Sequence, residues 1–280
     1  NGIRTRLYDG YPFLYMQFSK KPKFVFDPDW YRGIEYPKEQ ERGYSSTEDL
    51  YVPGYFSLPI EKGERIVFAA STTECKPRSL KTLFQKEADE RTPRDNFIHC
   101  LTNAAHQFHV HNKAGERYIL AGYPWFKCRA RDTFIALPGL TLAIDEVDYF
   151  EDAMKTAVRQ LRQFMEGKEQ DGMITEMEQP DVPLWAIWAV QQYAKKIGMK
   201  LAAQKFGKLI YDIMSFISSG KHPNLRLDER GLLSTEGKKK AVTWMNSTVN
   251  GHPVVPRTGY IVEFNALWYN ALLFAAAIAD

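Results

Sequence analysis

Arg131 and Asp132 stand as a charged pair directly behind a Gly/Pro turn crowded with rings, in the stretch AGYPWFKCRARDTFIALPGL from Ala121 to Leu140. Gly122 and Pro124 are the turn formers, and Tyr123, Trp125 and Phe126 supply large flat side chains. The apolar residues Phe134, Ile135, Leu137 and Leu140 then open a helix, so Asp132 falls near the free N–H groups of its first turn. Two readings of this arrangement stay open. Asp132 is a helix cap with Arg131 as its partner, or a fixed carboxylate beside a ring, the combination that grips the hydroxyl edge and the apolar face of a sugar.

Glu263 is the second residue whose type and surroundings suggest chemistry. It is the one carboxylate before the terminal Asp280 in YIVEFNALWYNALLFAAAIAD, an otherwise nearly apolar helix. Burial against Phe264 and Trp268 would make its protonated form more accessible. As a first-turn carboxylate it would instead satisfy free N–H groups. Facing the same cavity as Asp132, it would complete the pair of carboxylates that glycoside hydrolysis uses. Asp181 sits at a cap position, with Pro183 in the first turn of the helix that follows, and Trp185 and Trp188, three apart, share a face as core or as cavity lining.

Other chemistries find less support. His99, His106, His109 and His111 cluster near one helix, but His99 and His106 share a face only loosely and no cysteine or carboxylate pattern completes a tetrahedral set. They are read as core or surface side chains, with no metal and no cofactor expected. Cys75, Cys100 and Cys128 are an odd number at unrelated spacings, which argues against a disulfide scaffold and for buried or neutral thiols in a reducing, cytoplasmic setting. A formal charge of +3 over 280 residues gives no reason to expect a nucleic-acid partner. No apolar run approaches about 18 residues, so no membrane partner is expected either. A start at Asn1 without an initiator Met suggests processing or a partial chain, so a removed leader stays open.

The elements that must position these groups change character along the chain. Charged residues make up 25% and aromatic ones 14%, the balance of a globular protein rich in rings. Up to about residue 70, short apolar runs broken by Gly10, Pro12, Pro22 and Pro28 read as β-strands, with Trp30 to Glu48 as a solvated loop. After Thr92-Pro93-Arg94-Asp95, read as a helix start with Pro just inside it, Ile98, Leu101, Ala105 and Phe108 recur at helical spacing. Helices are then expected from Thr133 to near Asp145, through Phe150 to Phe164, from Asp181, from Leu201 to Ile217 and after Gly259. The connection from Lys221 to Gly259 is long, and such connections are more often functional than idle.

Taken together these stretches resemble the glucosidase domain of glycogen debranching enzymes, the amylo-α-1,6-glucosidase family. The matching pieces are YRGIEYPKEQERG with EDLYVPGYF, AGYPWF with RDTFIALPGL, DVPLW with WAV, then GLL, VTWMNS and PRTGYIVEFNALWYNAL, in family order from about Trp30 to the end. The resemblance implies a mainly α fold, an incomplete (α/α)6 toroid of the six-hairpin glycosidase type with about six of twelve helices. The β-rich end of a β-sandwich domain would precede it. Residues 1–85 would be the tail of that N-terminal domain plus a linker, and residues 86–280 the first half of the glucosidase domain.

The resemblance also implies inverting hydrolysis of α-1,6-linked glucose at branch points of glycogen or another α-glucan, with that glucan as the partner. Asp132 would bind glucose hydroxyls, with Arg131 orienting it and Trp125 at the entrance. Asp181 and Trp185 would reach the same pocket, as would Trp244, and Glu263, Asn265 and Trp268 would face it, Glu263 as a substrate contact or in acid or base work. Two departures stand out. Asn246 occupies the position in TWMN where the family usually has Asp, the residue resembling its general acid, and an amide cannot donate that proton. KCRA, Lys127 to Ala130, replaces the family's Trp-Gly pair before the Arg. The family's general base would lie in the second half of the barrel. A non-catalytic α-glucan-binding member of the fold, or a structural module that self-associates through exposed helix faces, are the alternatives.

Overall fold

The computed structural model describes residues 1–123, 126–236 and 240–279. The chain divides into two compact units, Asn1–Thr92 and Pro93–Asp280. The first contains a three-stranded antiparallel sheet of β1 (Gly2–Thr5), β2 (Leu14–Phe18) and β5 (Phe68–Ser71), in the order β1-β2-β5. A long hairpin of β3 (Lys23–Glu35) and β4 (Thr47–Ser57) carries α1 (Pro37–Glu41) in its connection. The rings of Phe18, Phe56 and Phe68 pack at centroid distances of 4.8 Å and Phe24 joins Phe56 at 5.1 Å. Helix α2 (Leu80–Glu90) closes this unit and spans the junction expected at residues 85 and 86.

The solvated loop expected from Trp30 to Glu48 is corrected here. Trp30 to Glu35 continue β3 and pair with β4, Trp30 opposite Tyr51 and Ile34 opposite Glu48. The register shifts between Phe26 and Asp29 and again between Tyr31 and Ile34. Such bulges, with an exposed two-stranded ribbon, erase the alternation that marks a half-buried strand.

The second unit is mainly helical. Helix α3 (Phe97–His106) is followed by the hairpin β6 (His109–His111) and β7 (Arg117–Ile119), then β8 (Cys128–Arg129), α4 (Ala130–Leu140) and α5 (Val147–Met165). β9 (Ile174–Thr175), α6 (Val182–Ile197) and α7 (Met199–Ser218) come next. Two small hairpins, β10 (Arg226–Leu227) with β11 (Leu233–Ser234) and β12 (Thr248–Val249) with β13 (His252–Pro253), lead to α8 (Val262–Ala279). The helix start expected at Thr92-Pro93 lies four residues further on, because Asn96 is the residue whose side chain accepts from the His99 N–H, at 2.9 Å.

Helix α6 is the centre of this unit, packed against α4, α7 and α8. Val182, Leu184, Ala186, Ile187, Ala189, Val190 and Tyr193 are all buried, so its sequence is apolar on nearly every side, as a helix enclosed by others must be. Gln191 and Asn270 exchange two amide hydrogen bonds of 3.1 Å and fix the pitch of α8 against α6. α5 is amphipathic and buries Phe150, Met154, Ala157 and Leu161. Its Phe150 ring stacks on Tyr193 of α6 at 5.2 Å.

Two further expectations change. α8 is 18 residues with a mean hydropathy of 1.3, long and apolar enough to cross a membrane, of which 28% is buried in the fold. The sequence had not been expected to hold such a stretch. Glu263, Asn265 and Asn270 interrupt the run in sequence but not the helix. Of the thiols, Cys128 is buried and its pKa is raised by desolvation, whereas Cys100 is exposed.

Candidate active site

The loop in front of α4 is closed by two main-chain hydrogen bonds, from the N–H of Ala121 to Lys127 O (2.9 Å) and from the N–H of Phe126 to Gly122 O (3.0 Å). Pro124 and Trp125, which the sequence places at its tip, lie outside the described residues. Gly122 is needed for space rather than for a turn torsion: a Cβ there would meet the Phe126 ring at 3.1 Å. Tyr123 and Phe126 are exposed. The Tyr123 hydroxyl donates to Gln107 O at 2.6 Å, and the Arg129 guanidinium lies 4.5 Å over the Phe126 ring.

Arg131 is not the partner of Asp132. Its Nε and Nη2 donate to the two carboxylate oxygens of Asp181, at 2.7 and 2.9 Å, and both side chains are buried. The Trp185 indole Nε1 adds a third hydrogen bond to the same carboxylate at 3.1 Å. Asp181 does occupy the N-cap position of α6, but its side chain makes no capping bond, since its oxygens are committed to Arg131 and Trp185. Trp185 and Trp188 meet edge to face at 5.5 Å.

Asp132, the third residue of α4, is exposed. It is not the N-cap, a position held by Arg129, whose backbone is extended. The start of α4 is further fixed by the parallel pairing of Cys128 and Arg129 with Ile174 and Thr175. Arg129 also pairs with Glu176 at 3.4 Å. Glu176 has a φ of 64°, a left-handed backbone that L side chains avoid, and it sits on the loop leading to Asp181.

Of the two readings open for Glu263, the structure sets aside the more accessible protonated form. Arg257 grips it through both guanidinium terminal nitrogens, with the Nη2–Oε2 bond at 2.9 Å. These hydrogen bonds from Arg257, joined by one from the exposed indole of Trp244, outweigh partial burial and hold its carboxyl below the usual range. The carboxylate, not the acid, is the favoured form. Asn265, two residues along, donates to Leu233 O at 2.9 Å and accepts from the Leu233 N–H at 2.8 Å. It ties β11 to the start of α8. Trp268 is buried in the core, and its Nε1 has no hydrogen-bond partner among the described residues. Asn246 is half-buried in the connection between β11 and β12.

The structure therefore gathers the expected residues into two clusters. One joins Arg131, Asp181 and Trp185, with Asp132 on the adjacent helix start; the other joins Trp244, Arg257 and Glu263, while Asn265 bonds to Leu233 and Ile261 and Trp268 lies in the core. Among the described residues no hydrogen bond or ion pair links Asp132 to Glu263. Arg129, Glu176 and Arg257 were not singled out in the sequence. Arg257 stands six residues before Glu263 in PRTGYIVE, a spacing that acquires meaning only once the intervening loop folds back. A cavity of about 740 Å³ opens elsewhere in this unit, lined by Arg117, Lys155, Arg159, Arg162 and Phe206. None of the expected site residues contributes to it.

Comparison with known families identifies the class. The model described as amylo-alpha-1,6-glucosidase matches residues 103–280, well over half of the chain, and the chain belongs to that family. The model described as glycogen debranching enzyme N terminal matches residues 1–67, so both matches come from the same kind of enzyme. No curated relative and no solved structure matches the chain.

Proposed function

We propose that the chain acts on α-1,6-linked glucose at branch points of glycogen or a related α-glucan, releasing glucose by an inverting hydrolysis. The helical unit would be part of an (α/α)6 toroid, with its pocket at the N-terminal ends of α4, α6 and α8. The observation that carries this reading is the bidentate Arg131–Asp181 bond, which clamps the start of α4 to the start of α6 and leaves Asp132 exposed beside it. A carboxylate at such a fixed position accepts sugar hydroxyls without reordering. Asp181 and Trp185 then act as positioning residues.

In an inverting site the acid protonates the bridging oxygen while a base about 6.5–9.5 Å away activates water on the opposite face. Glu263, held as a carboxylate by Arg257, suits a contact to hydroxyls or the base, not the acid. Asn265 positions the α8 start, and the exposed Trp244 supplies an aromatic face beside Glu263, whereas Trp268, expected at the pocket, belongs to the core. Asn246 cannot serve as the acid, and this favours a second reading, an α-glucan-binding member of the family without efficient cleavage.

Glucose release from a branched α-1,6-glucosyl oligosaccharide, measured for the chain and for Asp132→Asn and Glu263→Gln, tests the proposal. Release that is lost in both variants is the expected result. Release untouched by either would overturn the assignment, and oligosaccharide binding with no glucose formed would establish the second reading.

A further inference from the structure

Away from these clusters, three side chains from separate parts of the helical unit converge. His106 ends α3, His109 begins β6, and Glu146 stands immediately before α5. The Nε2 of His106 lies 2.7 Å from Glu146 Oε1, and the Nδ1 of His109 lies 3.7 Å from Glu146 Oε2. One donor atom from each residue falls within 4.8 Å of the others.

The tautomer of His109 gives the cluster its meaning. Its Nε2 is 2.9 Å from Leu140 O, and a carbonyl only accepts, so Nε2 carries the hydrogen. In the neutral ring Nδ1 is then a bare lone pair directed at a carboxylate oxygen. The ring cannot easily turn away: it stacks on Tyr149 at 3.9 Å and 20°, and the Tyr149 hydroxyl is held by Val110 O and Tyr118 O. Two acceptors 3.7 Å apart suit a cation between them, a proton or a metal ion. An imidazole that donates one N–H to a backbone carbonyl and offers its other nitrogen is also the usual arrangement of a metal-binding histidine.

We propose that His106, His109 and Glu146 form a three-ligand site for a zinc-type divalent ion, with the fourth position open to solvent. Two imidazoles and a carboxylate suit Zn²⁺ and its neighbours rather than Ca²⁺ or Mg²⁺, which prefer oxygen ligands. Ligand bonds of about 2.0–2.2 Å set neighbouring ligand atoms roughly 3.4 Å apart, so the His106–Glu146 contact must widen by about 0.7 Å. His106 and Glu146 are 38% and 37% exposed and have room to do so, whereas His109, at 10%, is the fixed member. The Arg117 guanidinium lies 5.0 Å from the Tyr149 centroid and is offset by Asp152 at 3.4 Å. Asp148 lines the same opening as Glu146, whereas the Asp145 carboxylate there is paired with Lys196. A bound ion would cross-link the end of α3 to the start of α5. The expectation of no metal rested on the lack of a local carboxylate, and the carboxylate that completes this set lies 40 residues from His106.

Titration of the untagged chain with Zn²⁺ by calorimetry, and with Co²⁺ by visible absorption, tests the site. One ion per chain, tetrahedral Co²⁺ bands and a raised Tm are expected. Affinity should fall by about 100-fold or more in His106→Ala and in Glu146→Gln, and be unchanged in His99→Ala. His106 and Glu146 are partly exposed, so these variants keep the fold even if loss of His109 does not. No binding by the chain, binding indifferent to His106→Ala, or a preference for Ca²⁺ over Zn²⁺ would each overturn the proposal.

Discussion

The guanidinium of Arg131 and the carboxylate of Asp181 face each other through two parallel hydrogen bonds of 2.7 and 2.9 Å, with 7% and 4% of their side chains exposed. Fifty residues separate them in sequence, yet they join the first turns of two helices. A planar fork meeting a carboxylate fixes both distance and angle, which a lysine at this position would not do.

Removing one partner strands the other charge in the interior. Arg131→Met and Asp181→Asn should each destabilise the helical unit by about 3–5 kcal/mol, and the double variant by clearly less than their sum. Urea unfolding followed by far-UV circular dichroism measures this. Additive losses would mean that the pair is not coupled.

The Glu263–Arg257 pair has a signature in pH. Its folded-state pKa lies below the ordinary value of 4.5, so within the window between the two the unfolded chain binds more protons. The contribution is fully present above pH 4.5 and is lost as pH falls through the folded-state value. The stability difference between the chain and Glu263→Gln should therefore be flat at neutral pH and shrink as the solution is acidified below about 4.5. A difference that stays constant down to acid unfolding would remove the ion pair from the account.

His222 gives a second, separable acid response. The ring is fully buried between Phe164 and Phe216, at centroid distances of 5.6 and 5.7 Å, and desolvation, aided by Arg226, lowers its pKa from 6.5 to about 4. The neutral form belongs to the folded state and the unfolded chain protonates first. Its contribution is intact above pH 6.5 and is lost as pH falls toward 4, an effect of about 3 kcal/mol in total. His222→Phe should flatten the stability profile over that interval, whatever it does to stability at pH 7. An unchanged slope would show that His222 titrates elsewhere.

Much of the helical unit was legible because its signals are local. Asp181 and Pro183 mark the start of α6, the spacing of Trp185 and Trp188 puts both rings on one face, and Phe150 to Phe164 trace α5 at helical period. What escaped was set by contacts distant in sequence or by backbone geometry. The partner of Arg131 was read as its neighbour Asp132, since nothing at position 131 points to position 181. β3 was read as a loop because its bulges break the alternation. For Glu263 the sequence leaves a protonated form and a first-turn carboxylate both open, because the apolar surroundings are visible in it whereas the return of Arg257 through a loop is not.

On the proposed reading, Asn246 is the residue on which cleavage would turn. It lies in TWMN at the position of the acid that the family resemblance implies, two residues after Trp244, whose indole reaches Glu263. An amide has no proton to give to the departing oxygen, whereas a carboxyl there does. With Glu263 held as a carboxylate, no other group in this cluster takes over the role. Asn246→Asp should raise glucose release from a branched α-1,6-glucosyl oligosaccharide by about 10²–10⁴-fold, the usual contribution of a general acid. The gain should disappear above the pKa of the new carboxyl and leave oligosaccharide affinity within about twofold, because proton donation acts on the transition state rather than on binding. A release rate equal to that of the parent chain would place the acid elsewhere.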